Sequence, residues 1–130
     1  SVFDDFETLW ASWAIFVDDF SFWFAGDTGY NPYQFKEIGK RLGPFDGAAI
    51  PIGSYAPRHF MQPYHIDPYE AVLIHSEIAS QKSIGIHWGT FVLSQEPIDE
   101  PPKLLDRALK EHPQNQEFLA IPIGSTETFE

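Results

Sequence analysis

Apolar positions in this chain come in short bursts, too brief for long helices and separated by glycine, proline and acidic residues. Residues 8–17 (TLWASWAIFV) are rich in β-formers, with partial alternation at Leu9, Ala11 and Trp13. Asp18-Asp19 reads as a turn and residues 22–25 (FWFA) resume the apolar run, which predicts a β-hairpin ending at Gly26-Asp27. Asn31-Pro32 is a helix start followed by an apolar stripe at Phe35, Ile38 and Leu42, and Gly43-Pro44 stops it. Residues 48–52 (AAIPI) form a short buried strand, and a loop covers 53–66. Residues 67–70 (DPYE) are a capping box, opening a helix to about residue 79 that turns Ala71, Ile74 and Ile78 inward. Residues 83–89 (SIGIHWG) predict another strand, 104–111 a third helix and 118–123 a last strand.

From Phe22 onward strand and helix patterns alternate, which predicts a layered α/β fold with an aromatic hairpin at its start. Ligands in such folds gather outside the carboxyl ends of the strands, where loops converge above a rigid sheet. Asp27, Gly53-Ser54 and His87 all fall at strand ends and are expected to share one rim.

Composition narrows the chemistry. A length of 130 residues suits one domain or part of a larger one, and edges that look cut, with no initiator Met, favour the second. Only 8 Lys and Arg, with a net charge of −11, argue against a nucleic-acid surface and disfavour a polybasic membrane patch. With no cysteine, any metal must be held by His, Asp or Glu. Twelve Phe and 4 Trp are more large apolar surface than a small domain buries, so part of it is expected to cover another domain, a partner or lipid. No targeting segment is recognisable, and no apolar run approaches the roughly 20 residues of a spanning helix.

Taken alone, Asp27 between Gly26 and Gly29 is a turn residue, and His87 between Ile86 and Trp88 a buried histidine bonded to backbone. Together on one rim, an Asp and a His are donors of the type zinc accepts. His65, in QPYHIDP before a helix start, is placed to act as acid, base or phosphate donor, or to be an ordinary loop residue. His59, His75 and His112 read as structural. No nucleophile elbow, phosphate-binding loop or dinucleotide fingerprint is present, which leaves a metal as the best source of chemistry.

The segments FWFAGDTGY, FKEIGKRLGPFDGAAIPIGSYAPRHFM, HIDPYEAVLIH, IHWGTF and EPPKLL, in that order, resemble the carboxyl-terminal half of the N-acylphosphatidylethanolamine-hydrolysing phospholipase D family, within the metallo-β-lactamase fold superfamily. The resemblance implies that residues 1–130 are a single partial domain, half of an αββα sandwich, from a two-zinc hydrolase. That enzyme would cleave N-acylphosphatidylethanolamine at a membrane surface to N-acylethanolamine and phosphatidic acid. By the same likeness Asp27 matches the aspartate bridging both metals, with a catalytic role, His87 matches a terminal zinc ligand, and His65 and its neighbour Tyr64 match substrate contacts. An intracellular, peripherally membrane-associated protein, able to form a homodimer, is also implied.

The family's first metal motif, His-x-His-x-Asp-His, has no counterpart in these residues, Tyr64 replaces the usual Gln, and Ile123 stands where a His is expected. The expectation is therefore an incomplete zinc site, with the rest supplied by the missing amino-terminal half. Two other readings stand beside it: a hydrolase of the same fold with another substrate, such as a lactonase or phosphodiesterase, and a non-catalytic fragment that binds lipid or a partner.

Overall fold

The computed structural model describes residues 10–112 and 117–130. Nine elements follow one another among them: β1 (Trp13–Val17), β2 (Phe20–Phe24), α1 (Gln34–Leu42), β3 (Phe45–Pro51), α2 (Arg58–Met61), α3 (Pro68–Glu77), β4 (Ser80–Ile86), α4 (Glu100–Glu111) and β5 (Glu117–Leu119). They build one five-stranded sheet in the order β1-β2-β3-β4-β5. β1 and β2 form the antiparallel hairpin, and β2 to β5 run parallel. Thr8 and Leu9, at the start of the expected hairpin, lie outside the described residues.

The parallel strands send Trp23, Ala48, Ile50 and Phe118, with Ile52 just past β3, into a core shared with Phe35 of α1, Ala71 and Ile74 of α3, and Leu105 and Ala108 of α4. Trp23 is 1% exposed, so truncating it would cost about 3–5 kcal/mol. Ile78, like Ala71 and Ile74, is fully buried at the end of α3, as its sequence stripe requires. The capping box is formed: the Asp67 side chain accepts from the Glu70 amide at 2.9 Å and the Asp67 amide donates to Glu70 at 3.2 Å.

The opposite face of the sheet differs. Pairing of Trp13, Ile15 and Val17 with Phe24, Phe22 and Phe20 lines up an aromatic and aliphatic strip that faces away from Ala14 and Trp23, which contact the helix-side core. Trp13 is 65% exposed and Val17 60%. Part of the strip is covered by the carboxyl-terminal segment, where the Phe129 ring meets Phe22 edge-on at 5.4 Å. A Cβ at Gly47 would lie 2.5 Å from that ring, so the close approach depends on glycine.

Element boundaries depart from the sequence expectation in several places. α1 begins at Gln34 because the Asn31 carboxamide accepts from the Gln34 amide at 2.8 Å, and Leu42 at its end is 45% exposed instead of inward. α2 interrupts the expected 53–66 loop. α4 begins at Glu100, not Leu104, since Pro101 and Pro102 sit in the first turn, where a missing N–H is not felt. β4 stops at Ile86 and β5 at Leu119, one because His87 turns left-handed and the other just ahead of Pro122.

Candidate active site

Three neighbouring parallel strands leave the sheet by the same device. After β2, β3 and β4 the chain turns through a residue of positive φ: Gly26 (66°), Ser54 (64°) and His87 (61°). For Ser54 and His87 this conformation costs about 1–3 kcal/mol, and such strain persists only where the surroundings hold it. The three turns bring Asp27, Ser54 and His87 to one side of the sheet, at the carboxyl ends of the strands.

There they line a single open cleft of about 470 Å³ with His65, while Trp88, Phe91 and Leu93 form its apolar wall. Asp27 Oδ1 lies 3.0 Å from His87 Nδ1, and both side chains are substantially exposed. Gly29 packs the Asp27 loop against the segment before His65: a Cβ there would sit 2.5 Å from the Pro63 carbonyl oxygen.

His65 is carried by the turn after α2, its amide donating to the Met61 carbonyl at 2.8 Å. Its own carbonyl accepts from Arg58 Nη1 at 2.8 Å, and the same guanidinium donates through Nη2 to both Glu70 oxygens at 2.8 and 2.9 Å. Arg58 thus ties the His65 loop to the capping box of α3. Burial and the neighbouring Asp67 carboxylate raise the Glu70 pKa despite that cation. Tyr64 does not line the cleft; its ring lies against Trp10, centroids 6.0 Å apart.

The wall opposite is pinned by Glu96. Its carboxylate accepts from the amides of Ser54 at 2.6 Å and Ala56 at 3.0 Å and from the Ser94 hydroxyl at 2.7 Å. Burial pushes the Glu96 pKa up, but these donors outweigh it and hold the group below the usual carboxylate range. Tyr55, between the two clamped amides, donates its hydroxyl to Glu100 at 2.5 Å, and burial together with that carboxylate raises the phenol pKa. The strand-end positions Asp27, Ser54 and His87, with His65, were signalled by the sequence pattern. Arg58 and Glu96 were not, since each acts over a distance in sequence that no local motif marks.

His75, by contrast, is a core residue. It is 2% exposed, its Nδ1 lies 2.7 Å from Ser83 Oγ, its ring stacks on Phe118, and burial lowers its pKa to about 4.

Two donors bound to one zinc at roughly 2.0–2.2 Å, near the tetrahedral angle, sit about 3–4 Å apart. Asp27 and His87, at 3.0 Å, fit as two members of such a set. No group of three or more His, Cys, Asp or Glu converges anywhere among the described residues, so they do not fit as a complete one. The rim therefore offers two of the donors a metal takes, with His65 in the same cleft.

Comparison with known proteins decides the family. A model described as a beta-lactamase superfamily domain matches residues 2–88. The chain belongs to the beta-lactamase superfamily. Among superfamily relatives, N-acyl-phosphatidylethanolamine-hydrolyzing phospholipase D 1 of Caenorhabditis elegans is 44% identical over 89% of this chain and 33% of its own length. The mitochondrial N-acyl-phosphatidylethanolamine-hydrolyzing phospholipase D of Saccharomyces cerevisiae is 33% identical over 100% of the chain and 28% of its own. The chain thus spans about a third of the length of these relatives. A solved metallo hydrolase from the archaeon Ignicoccus hospitalis, at 24% identity, superposes with a TM-score of 0.63 over 90% of this chain and 44% of that one. The superfamily fold expected from the motifs is therefore present.

Proposed function

We propose that this chain carries the carboxyl-terminal part of the active site of a metal-dependent phosphodiester hydrolase acting on N-acylphosphatidylethanolamine. The observation that carries the reading is the Asp27–His87 pair, 3.0 Å apart on the rim of a cleft that also holds His65 and Ser54. Likeness to relatives named for hydrolysing that phospholipid supports the substrate.

In this reading Asp27 and His87 hold metal, and the rest of a two-zinc ligand set comes from the remainder of the whole protein. A zinc held there would supply a water acidified to about 7 and positive charge for the developing charge on phosphate. Asp27 contributes a fixed carboxylate that sets where a cation sits. His65, half-exposed in the same cleft, donates a hydrogen bond or proton to a phosphate oxygen. Trp88, Phe91 and Leu93 give the lipid portion an apolar wall and keep bulk water from one side of the diester.

The test is turnover of N-acylphosphatidylethanolamine by the metal-loaded full-length protein. Release of N-acylethanolamine and phosphatidic acid, abolished by a chelator and restored by zinc, is expected. Chelator-resistant turnover, or a metal-loaded protein that opens lactones and leaves the phospholipid intact, overturns the reading.

A further inference from the structure

We propose that Glu96 is a positioning residue that latches the two walls of the cleft together. The proposal rests on the reading of this cleft as the hydrolytic site. One wall is the turn after β3, where Ser54 holds a left-handed backbone at φ 64°. The other is the loop after β4, whose Phe91 and Leu93 line the cleft while standing 73% and 76% exposed. Loose apolar side chains of that kind do not define a cleft unless something fixes the chain that carries them.

Glu96 is where the two walls meet. Its carboxylate takes the Ser54 and Ala56 amides at 2.6 and 3.0 Å, drawing both N–H groups of a curled turn onto one anion. It also takes the Ser94 hydroxyl at 2.7 Å, directly after the Phe91 to Leu93 stretch, and the Gln95 amide donates to the Ala56 carbonyl at 3.2 Å. One ionised side chain therefore supports a disfavoured backbone at Ser54 and anchors the carboxyl-terminal end of the apolar wall. Glu96 does not line the cleft, so its influence on substrate passes through Ser54, Phe91 and Leu93.

Glu96→Gln tests this with almost no change of volume, because it leaves one acceptor oxygen where the carboxylate had two, and the amide nitrogen cannot accept from the backbone donor it faces. Hydrogen exchange at the Ser54 and Ala56 amides should quicken roughly tenfold or more, while amides inside α3 stay unchanged. In the zinc-loaded full-length protein, KM for a long-chain N-acylphosphatidylethanolamine should rise on the order of fivefold. The kcat and zinc content should hold, and KM for a diester with the same head group but short chains should change much less. Unchanged exchange at Ser54 and Ala56 overturns the latch. Faster exchange with both KM values unmoved reduces Glu96 to a loop stabiliser, and a loss of kcat together with zinc moves its action to the metal; both outcomes overturn the proposal. If the unsubstituted protein hydrolyses neither diester, the hydrolytic reading fails on its own, and the exchange measurement still decides whether the latch exists.

Discussion

The carbonyl oxygen of His87 occupies the space that a side chain on Gly53 would need. β3 and β4 run side by side to that point, and the contact fixes how closely the turn after one can approach the turn after the other. His87 can stand beside Asp27 only because position 53 has no Cβ.

Gly53→Ala should therefore displace the His87 backbone. Overpacking of this kind costs about 1–3 kcal/mol of stability. Urea denaturation measures that loss. A stable variant that keeps the 3.0 Å Asp27–His87 spacing in a crystal structure would refute the constraint.

Asp27→Asn in the full-length protein should cost far more activity than His65→Ala. On the proposed reading the first removes a metal-holding charge, whereas the second removes one contact to the substrate, on the order of a hundredfold in rate for a lost acid or donor. Zinc content measured beside turnover separates the two, falling in the Asp27 variant and holding in the His65 variant. Equal losses with full zinc in both would contradict these roles.

On the proposed reading, the 130 residues alone should hydrolyse the phospholipid poorly or not at all, because each zinc takes about four ligands and no group of three or more His, Cys, Asp or Glu converges among the described residues. Chelator-sensitive turnover by the isolated chain at the rate of the longer protein would show that the site is complete without further donors.

What the sequence made legible was what local chemistry determines. The alternation of strand and helix, the Asp67–Glu70 capping box and the strand-end positions of Asp27, Ser54 and His87 each follow from neighbours a few residues apart. Boundaries were harder, because Pro101 and Pro102 look like breakers yet are tolerated in a first helical turn. The clamps escaped notice for a different reason. Glu96 bonds across 42 residues to Ser54, and Arg58 reaches across 12 to Glu70. Nothing in either side chain's own vicinity marks its partner.

Stability should fall as the solution is acidified below about 6.5, through His75. Its folded pKa of about 4 lies below the unfolded value of 6.5, so the unfolded chain binds the proton first. The loss grows between those two pH values and reaches about 3 kcal/mol near pH 4. A His75→Phe variant should flatten that part of the pH profile, and urea midpoints between pH 4 and 7 for both proteins read it directly. An unaltered slope would assign the acid sensitivity elsewhere.

Arg58→Lys should loosen the His65 loop although the charge is kept. A lysine cannot reach the His65 carbonyl and both Glu70 oxygens at once, and losing those bonds costs about 1–3 kcal/mol. A double-mutant cycle with Glu70→Gln checks the assignment, since the two substitutions should fall well short of additive. Simple additivity would show that Arg58 and Glu70 act independently.

Strand order along the sheet is the same as order along the chain. Each of the described strands after β1 therefore pairs with the strand made just before it. β3 docks on a finished hairpin and β4 on β3, so no segment has to wait for a distant one before its backbone is satisfied. Among the described strands β5 is the short edge: three residues long, it offers a passing chain almost nothing to pair with. The other edge among the described strands is β1, five residues long with Trp13, Ile15 and Val17 open to solvent, and it is the edge with more backbone left to pair.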